Sequence, residues 1–198
     1  MKEHFFLLSI FIMIGFTGCA TEVIRKEPLE VVDLSGRWND TDARMVADEM
    51  VKECTAGNWI SSFNKDNGRD PVVIIGSVVN RSHEHIDSDV FVQDLEQALV
   101  NSGKVKFVAD KSSRGEIRDE RTDQQINARE ATRAKLINET GADFILQGTV
   151  NSLKDETKGQ YAILFQANLE LVNLSTNEKV WLGQKKIKKL VKNPKYSM

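Results

Sequence analysis

The sequence predicts a single α/β domain in which helices pack on a mixed β-sheet to form a sandwich. The run VVIIGSVV, residues 72–79, is apolar and mostly β-branched, which is typical of a strand buried on both faces. Segments with the helical spacing of apolar residues lie on both sides of this run. Three strand-like segments follow one another toward the end of the chain. With 198 residues, the chain has room for one such domain and a tail.

The first predicted helix begins near Asn39, whose side chain can accept hydrogen bonds from free backbone N–H groups. Asp42 follows where the positive end of the helix dipole favours an acidic residue. Apolar residues at steps of three and four define one buried face: Ala43, Val46, Ala47, Met50 and Cys54. Gly57 is a suitable end for this helix. We therefore expect the helix to pack on the sheet, with Cys54 as a buried thiol.

Two further helices lie before and after the first strand. Trp59, Ile60 and Phe63 form a short apolar stripe that ends at NGRDP, residues 67–71. After the strand, Asp87 or Ser88 can cap the next helix, which stops at NSG, residues 101–103. The apolar side of that helix is formed by Phe91, Leu95, Ala98 and Leu99.

The rest of the chain predicts four strands and one helix. KVKFVAD, residues 104–110, alternates as a second strand, and the charged segment 111–125 is expected to be solvated or weakly helical. Helix formers stopped by Gly141 predict a helix over residues 126–140. Three strands come last: ADFILQGTVNSL, YAILFQANLELVNL and EKVWLGQKKIKKLV. The order α-α-β-α-β-α-β-β-β predicts parallel or crossover pairing of the first strands and an antiparallel meander at the end.

Charge and motifs exclude several functional classes. The net charge of −2 comes from nearly balanced signs, so a nucleic-acid partner is not indicated. No G-x-G-x-x-G or Walker sequence indicates a nucleotide, and no G-x-S-x-G elbow indicates a serine hydrolase. We therefore expect no cofactor and no enzymatic activity.

The first residues are typical of a secretory signal peptide. Lys2 precedes the apolar run FFLLSIFIMIGF, residues 5–16, which is too short for a typical membrane span. The run is followed by TGC, and FTGC at residues 16–19 resembles a bacterial lipobox, whose cysteine receives a diacylglycerol group. Ala20 stands where an inner-membrane retention signal would have Asp. The resemblance to a lipobox, and to sorting signals that lack this Asp, implies a protein anchored to the outer membrane through lipidated Cys19, on the periplasmic side.

These features divide the chain into three parts. We expect a lipoprotein signal peptide at 1–18, a lipidated cysteine with a short tether at 19–33, and a globular domain at 34–198. The tether of about fourteen residues reaches at most about 50 Å when fully extended. With Cys19 lipidated, Cys54 is the remaining thiol, so no intrachain disulfide can form.

NRSHEHID, residues 80–87, is the strongest candidate for chemistry. His83, Glu84 and His85 are of the types that bind metals, and residues two apart on a strand point the same way. A zinc site, however, needs three or four ligands, and this spacing lacks the four-residue step that places two histidines on one helix face. We therefore interpret the stretch as a structural or partner-contacting loop, with a metal or catalytic site as the alternative.

The turn residues Asn80 and Ser82, and the helix cap at Asp87 or Ser88, explain most of this loop without any ligand. Arg81 can bridge to Glu84 or Asp87, or reach the edge of the sheet. The residues that we expect as possible partner contacts are Arg81, His83 and His85.

The lysine-rich end QKKIKKLVK, residues 184–192, has two interpretations. It is typical of an outer strand kept soluble by lysine, which blocks edge-to-edge pairing. Alternatively, it is a basic face for an acidic partner or for the cell-wall mesh. The lysines concerned are Lys185, Lys186, Lys188, Lys189 and Lys192.

Five stretches of the chain resemble one known family. They are DLSGRWNDTDARMVADEM (33–50), VVIIGSVVNRSHEHID (72–87), ALVNSGKVKFV (98–108), ETGADFILQGTV (139–150) and EKVWLGQKK (178–186). Together with the lipobox, they are similar to LpoB-type penicillin-binding-protein activators. These are lipoproteins of the bacterial envelope that stimulate bifunctional peptidoglycan synthases. The resemblance implies a domain similar to the amino-terminal domain of TolB, a mixed sheet packed with helices.

The resemblance also implies a function. It predicts a lipoprotein that binds and activates a class A, bifunctional penicillin-binding protein and so regulates peptidoglycan synthesis. The short tether is a departure, because the best-known members carry a long Pro-rich tail that reaches toward the inner membrane. The alternatives are an envelope adaptor that tethers proteins without activating them, and a metal-dependent envelope hydrolase that uses His83, Glu84 and His85.

Overall fold

The computed structural model describes residues 22–134 and 138–192. The predicted signal peptide and the lipidation site Cys19 lie outside these residues. The chain divides into two units, residues 1–31 and 32–198. In the first unit, Lys26 and Glu30 form an ion pair at 2.8 Å. No helix in the described part of the chain is long and apolar enough to cross a membrane.

Within the described residues, the helices and strands follow the predicted order. The helices are α1 (Asp40–Thr55), α2 (Asn58–Asn67), α3 (Ser88–Ser102) and α4 (Lys111–Asn127). The strands are β1 (Val72–Arg81), β2 (Lys106–Phe107), β3 (Phe144–Thr157), β4 (Gln160–Asn173) and β5 (Lys179–Lys192).

The strands form one five-stranded sheet in the order β2-β1-β3-β4-β5. β1 is parallel to both β2 and β3, whereas β3, β4 and β5 form an antiparallel meander. Gly159 has φ 84°, a conformation that favours glycine, and allows the tight turn between β3 and β4. The predicted single α/β domain with a mixed sheet is confirmed.

α1 begins and packs as its sequence predicts. Asn39 Oδ1 accepts a hydrogen bond from the N–H of Asp42, and Asp42 Oδ2 accepts one from the N–H of Asn39, so the two residues form a capping box. The predicted apolar face is buried at every position: Ala43, Val46, Ala47, Met50 and Cys54. The helix ends at Thr55, before the predicted Gly57, which instead precedes the first residue of α2.

The core lies between one face of the sheet and the helices α1 and α3. Alternate residues of β4 are buried in it: Ile163, Phe165, Ala167, Leu169 and Leu171. Residues 32–39, which we term the lead-in segment, also reach the core. The Trp38 ring packs edge-on against Phe91 of α3 at 6.0 Å and Phe165 of β4 at 5.6 Å, measured between ring centroids.

Two predictions in the middle of the chain are wrong. The strand expected over residues 104–110 has only two residues, Lys106–Phe107. The helix expected over 126–140 lies earlier, at Lys111–Asn127, and the described residues 128–134 and 138–140 are not helical. The Asp110 side chain accepts from the N–H groups of Ser112 and Ser113, so it fixes the start of α4 ahead of the apolar spacing.

Candidate functional site

Side chains of Asn80 and Ser82 hold together the loop that follows β1. Asn80 Nδ2 donates to the carbonyl oxygen of Glu84 at 2.8 Å, and Asn80 Oδ1 accepts from the N–H of Ser82 at 2.9 Å. The Ser82 hydroxyl oxygen accepts from the N–H of Glu84 at 3.2 Å. Side-chain to backbone bonds of this kind stabilise turns. The predicted turn roles of Asn80 and Ser82 are therefore confirmed.

Two more contacts fix this loop to other parts of the domain. The N–H of His83 donates to Ser152 Oγ of β3 at 2.9 Å, and His83 Nδ1 lies 2.8 Å from the same oxygen. In the neutral imidazole this geometry fits a proton on Nε2, because the Ser152 hydroxyl can donate to Nδ1. Glu84 Oε2 accepts from the N–H of Trp38 at 3.1 Å. The loop is thus attached to β3 and to the lead-in segment.

Asp87 forms the helix cap that the sequence predicts, whereas Arg81 does not form the predicted ion pair. Asp87 Oδ1 accepts from the N–H of Asp89 at 3.0 Å, so Asp87 caps α3 and Ser88 is the first helical residue. The predicted bridge from Arg81 to Glu84 or Asp87 is wrong, because those carboxylates accept from backbone N–H groups instead. The Arg81 side chain is exposed, and its guanidinium group forms no hydrogen bond or ion pair within residues 22–134 and 138–192.

The three possible partner contacts line two different depressions. Arg81 lines an open trough of about 540 Å³ on the sheet, beside polar side chains such as Gln147 and Asn168. His83 and His85 line a separate cleft of about 430 Å³ between the lead-in segment, the loop and the ends of β3 and β4. The structure therefore brings the two histidines together and separates them from Arg81.

We term the second depression the cationic cleft, because cationic or protonatable side chains surround an apolar and aromatic floor. The former are Arg37, His83, His85 and Lys154, Glu84 adds a carboxylate, and the floor contains Trp38, Tyr161 and Ile163. The Lys154 ammonium lies 4.8 Å from the centroid of the Tyr161 ring. Its hydrogen bond to Glu156 raises the pKa of Lys154, so this lysine is charged at neutral pH.

Two kinds of reactive centre are at issue in the described residues, a metal cluster and an activated thiol. No group of three or more His, Cys, Asp or Glu side chains among them is placed to hold a metal ion. Burial raises the pKa of the Cys54 thiol to about 12, so it is not a thiolate at neutral pH. The cationic cleft instead offers charged and hydrogen-bonding groups around an apolar floor.

The lysines of β5 divide between the two sides of the strand. Lys189 pairs with Asp42 of α1 at 2.6 Å and with Asp33 of the lead-in segment at 2.7 Å, and Lys185 pairs with Glu49 of α1. The other lysines of this group are exposed: Lys186, Lys188 and Lys192. Neither interpretation of the lysine-rich end covers the whole group, since two of its members attach the strand to α1.

Sequence reasoning missed the role of Lys189. Its side chain is only 11% exposed. Burial disfavours the charged form, but hydrogen bonds to Asp33 and Asp42 outweigh this effect and raise the pKa of Lys189. Alternation along the strand was an available signal, because Lys189 lies two residues from Ile187 and two from Val191, on the side of the strand that faces the core.

The family described as "Peptidoglycan-synthase activator LpoB" matches residues 42–187. The chain belongs to the LpoB family. The match extends from α1 into β5, so it includes both the trough and most of the cationic cleft. Members of the LpoB family are envelope lipoproteins with a regulatory role in peptidoglycan synthesis, rather than a catalytic one.

Several solved structures are similar to this LpoB-family chain. The LpoB C-terminal domain from Salmonella enterica is 18% identical, with 74% of this chain and 98% of that one covered and a TM-score of 0.41. The NMR structure of Escherichia coli LpoB is 14% identical, with coverage of 91% and 85% and a TM-score of 0.41. Lipoprotein GNA1162 from Neisseria meningitidis is 12% identical, with coverage of 64% and 88% and a TM-score of 0.40. No match was found among curated protein sequences.

Proposed function

We propose that this chain is a periplasmic lipoprotein, anchored to the outer membrane, that binds a class A, bifunctional penicillin-binding protein and stimulates it. The match to the LpoB family over residues 42–187 carries this proposal, because it covers nearly all of the globular domain. A protein without catalytic chemistry of its own can raise the rate of an enzyme only by binding its active state more tightly than its inactive state.

The anchor in this proposal is Cys19. The sequence FTGC at residues 16–19 supports it, together with the apolar run before it. Stable anchoring needs more than one acyl chain, which a multiply acylated cysteine supplies. The tether after Cys19 is short, so the domain has to meet its synthase within about 50 Å of the anchored residue.

Exposed side chains on firmly held backbone are suited to contact the synthase. We propose Arg81, His83 and His85 for this role, as the loop that carries them is fixed by its own turn bonds and by Ser152. A preformed loop loses little conformational entropy when it binds. Because Arg81 lies in the trough and the histidines lie in the cationic cleft, the synthase would contact two sides of this loop.

Stimulation of a synthase tests the proposal. The mature, lipidated protein in non-ionic detergent should raise the rate of glycan polymerisation by its cognate class A synthase. The variant Arg81→Gln should give less stimulation than Arg129→Gln, which removes another exposed arginine, one outside both depressions. Absence of both binding and stimulation across every class A synthase of the host would contradict the proposal. Binding without any change in rate would identify an adaptor instead.

Fractionation tests the anchor separately. The variant Cys19→Ser should accumulate as an uncleaved or soluble exported form, whereas the wild type should be found in the outer-membrane fraction. Mass spectrometry of the wild-type N-terminal peptide should show the mass of the acyl groups. An unmodified, soluble wild type would contradict the anchor. Stoichiometric zinc in the purified protein would favour the metal-dependent hydrolase.

A further inference from the structure

We infer that the outer edge of β5 binds an extended segment of a partner protein as an added strand, and that acidic and apolar residues alternate along this segment. The inference goes beyond the proposed function, because it assigns a surface and a partner chemistry and would also hold for a partner that is not a synthase. It rests on a free backbone edge, on unpaired lysines along one side of β5, and on exposed apolar residues beside them.

The backbone of β5 is paired on one side only. β5 is the last strand of the sheet and has 14 residues, whereas β2, at the opposite edge, has two. Its pairing with β4 runs without a shift from Gln160 opposite Lys192 to Leu171 opposite Trp181. In the part of the chain that the structure describes, no backbone N–H or carbonyl group of β5 bonds to a segment other than β4. Alternate residues of such a strand point these groups outward, so they can pair with an added strand.

Three lysines give one side of this edge a positive charge. Lys185 and Lys189 reach α1, so the residues between and beyond them at even positions point to the other side of the sheet. The lysines at even positions are Lys186, Lys188 and Lys192, and all three are exposed. Their ammonium groups form no hydrogen bond or ion pair with any described residue.

The neighbouring strand does not balance this charge. The three lysines lie opposite uncharged residues of β4: Gln166, Leu164 and Gln160. The one carboxylate of β4, Glu170, pairs with Lys179 at 2.6 Å and accepts from Gln147 Nε2 at 2.9 Å. The excess positive charge therefore selects an acidic partner. It also disfavours β5 of a second copy, because lysines would then meet lysines.

Apolar side chains are exposed on both sides of the edge. Leu182 and Leu190 border the lysines and are 67% and 62% exposed. On the other side, Met45 of α1 is 51% exposed, and helical spacing places it on the same face as Asp42 and Glu49, which pair with lysines of β5. Alternate side chains of a strand point to opposite sides, so an added strand would place one set beside the lysines and the other beside Met45. Alternation of acidic and apolar residues is the pattern that fits both.

Fluorescence anisotropy with the mature, lipidated protein in non-ionic detergent tests this site. The probe is a fluorescein-labelled peptide of four Glu-Val repeats. The control peptide has the same composition, with its four Glu residues grouped before its four Val residues. We expect saturable binding of the alternating peptide and about tenfold weaker binding of the grouped peptide, which cannot place its carboxylates on one side of a strand.

N-methylation of the peptide backbone tests the pairing itself. One version of the alternating peptide is N-methylated at every Glu and another at every Val. Because alternate N–H groups of a strand point to opposite edges, one version should lose binding and the other should keep it. Equal effects of the two N-methylations would overturn the inference.

Variants of the protein locate the site on β5. Lys188→Gln should raise Kd about threefold, and the double variant Lys186→Gln with Lys188→Gln about tenfold. The matched control is Lys106→Gln, which removes an exposed lysine from β2 at the opposite edge of the sheet and should leave Kd within about 1.5-fold. Met45→Gln should raise Kd about threefold, whereas Ile117→Gln, at an exposed residue of α4, should not.

Hydrogen exchange followed by NMR needs no variant. The amide hydrogens of β5 that do not bond to β4 should exchange more slowly when the alternating peptide is added, because the added strand accepts from them. Those of β2 should exchange at an unchanged rate.

The remaining outcomes also decide the matter. If the grouped peptide binds as tightly as the alternating one, the lysines form a general site for acidic polymers and no strand is added. Absence of saturable binding, or equal weakening by Lys106→Gln and Lys188→Gln, would contradict the inference as well. Stimulation of a synthase does not enter these measurements, so this inference and the proposed function fail separately.

Discussion

The helices α1 and α4 have nearly the same length and both begin at a capping side chain, yet they are attached to the domain in different ways. α1 has 16 residues, of which nine are buried, whereas α4 has 17 residues and none is buried. α1 also lies against β5, where Asp42 meets the buried Lys189. The comparison separates what starts a helix from what makes the rest of the fold depend on it.

The neighbours of α4 are polar and exposed. Arg118 forms an ion pair with Glu139 at 2.7 Å, and Gln125 donates to the carbonyl oxygen of Ala134 at 2.6 Å. Exposed ion pairs of this kind contribute about 0–1 kcal/mol each. A cap thus fixes where each helix begins, but burial decides whether losing that helix unfolds the domain. We expect α4 to open locally while the sheet and α1 stay folded.

The largest effect should come from Lys189→Met. This change leaves the Asp42 carboxylate, only 7% exposed, without its cation. Removing one partner of a buried ion pair costs about 3–5 kcal/mol, and we expect a loss of free energy of unfolding at the low end of that range. Urea denaturation followed by circular dichroism measures it.

Two further variants test this explanation for Lys189→Met. Lys188→Met removes the neighbouring, exposed lysine and should change the free energy of unfolding by less than about 0.5 kcal/mol. The double variant Asp42→Asn with Lys189→Met should recover part of the loss, because no unpaired buried charge remains. Equal effects of Lys188→Met and Lys189→Met would contradict the buried role of Lys189.

Matched truncations in the two helices should give the next largest difference. Met50 of α1 is 1% exposed and Ile126 of α4 is 77% exposed. Met50→Ala should cost about 2–3 kcal/mol, because it leaves a cavity between α1 and the sheet. Ile126→Ala should cost less than about 0.5 kcal/mol. Thermal and urea unfolding of both variants checks this, and similar losses would mean that α4 is packed after all.

Removing the helix caps should also destabilise the domain more at α1 than at α4, but the losses of free energy of unfolding should be smaller. Asn39→Ala should lower the free energy of unfolding by about 1–2 kcal/mol and Asp87→Ala by about 1 kcal/mol, because their helices bury residues in the core. Asp110→Ala should lower it by less than about 0.5 kcal/mol, since α4 can open without the rest. Melting temperatures of the three variants give the ranking, and a reversed ranking would contradict the link between burial and cap energy.

The difference between α1 and α4 also explains which elements the sequence predicts well. Five apolar residues at helical spacing predict α1, and all five are buried. α4 buries nothing, so its sequence has no such pattern, and its charge suggested a segment that is solvated or weakly helical. The apolar spacing in residues 126–140 was misleading, whereas the cap Asp110 followed by Ser112 and Ser113 was the informative signal.

The candidate site was predictable only in part, for a related reason. Turn and cap roles depend on neighbours in sequence, so Asn80, Ser82 and Asp87 could be assigned from the sequence. Contacts between distant segments could not. Neither the bond from Trp38 to Glu84 nor that from His83 to Ser152 has a local sequence signal. The first joins the lead-in segment to the loop, and the second depends on how β1 is placed beside β3.

The histidines of the loop should have almost no effect on stability. His83 and His85 are exposed. The bond from the N–H of His83 to Ser152 does not involve the imidazole, and the contact of His83 Nδ1 with the same oxygen is exposed to solvent. His83→Ala and His85→Ala should each change the free energy of unfolding by less than about 0.5 kcal/mol. Comparing these two histidine variants with Asp87→Ala distinguishes side chains that stabilise the loop from side chains that the loop exposes to a partner. A large loss for His85→Ala would show that its side chain is needed for folding.

Acid titration of Asp110, the cap of α4, should have the smallest effect on the stability of the whole domain. Its effect on the first turn of α4 should nevertheless be clear. Hydrogen bonds from Ser112 and Ser113 lower the pKa of Asp110 to about 2, from an ordinary value of 3.8. Because the folded pKa is depressed, the cap stabilises α4 above about pH 4 and this contribution is lost as the pH falls toward 2. The backbone amide signals of Ser112 and Ser113 in NMR spectra should therefore titrate with a midpoint near 2. The variant Asp110→Asn keeps a capping side chain and should abolish this titration. A wild-type midpoint near 4 would mean that the carboxylate accepts no hydrogen bonds from α4.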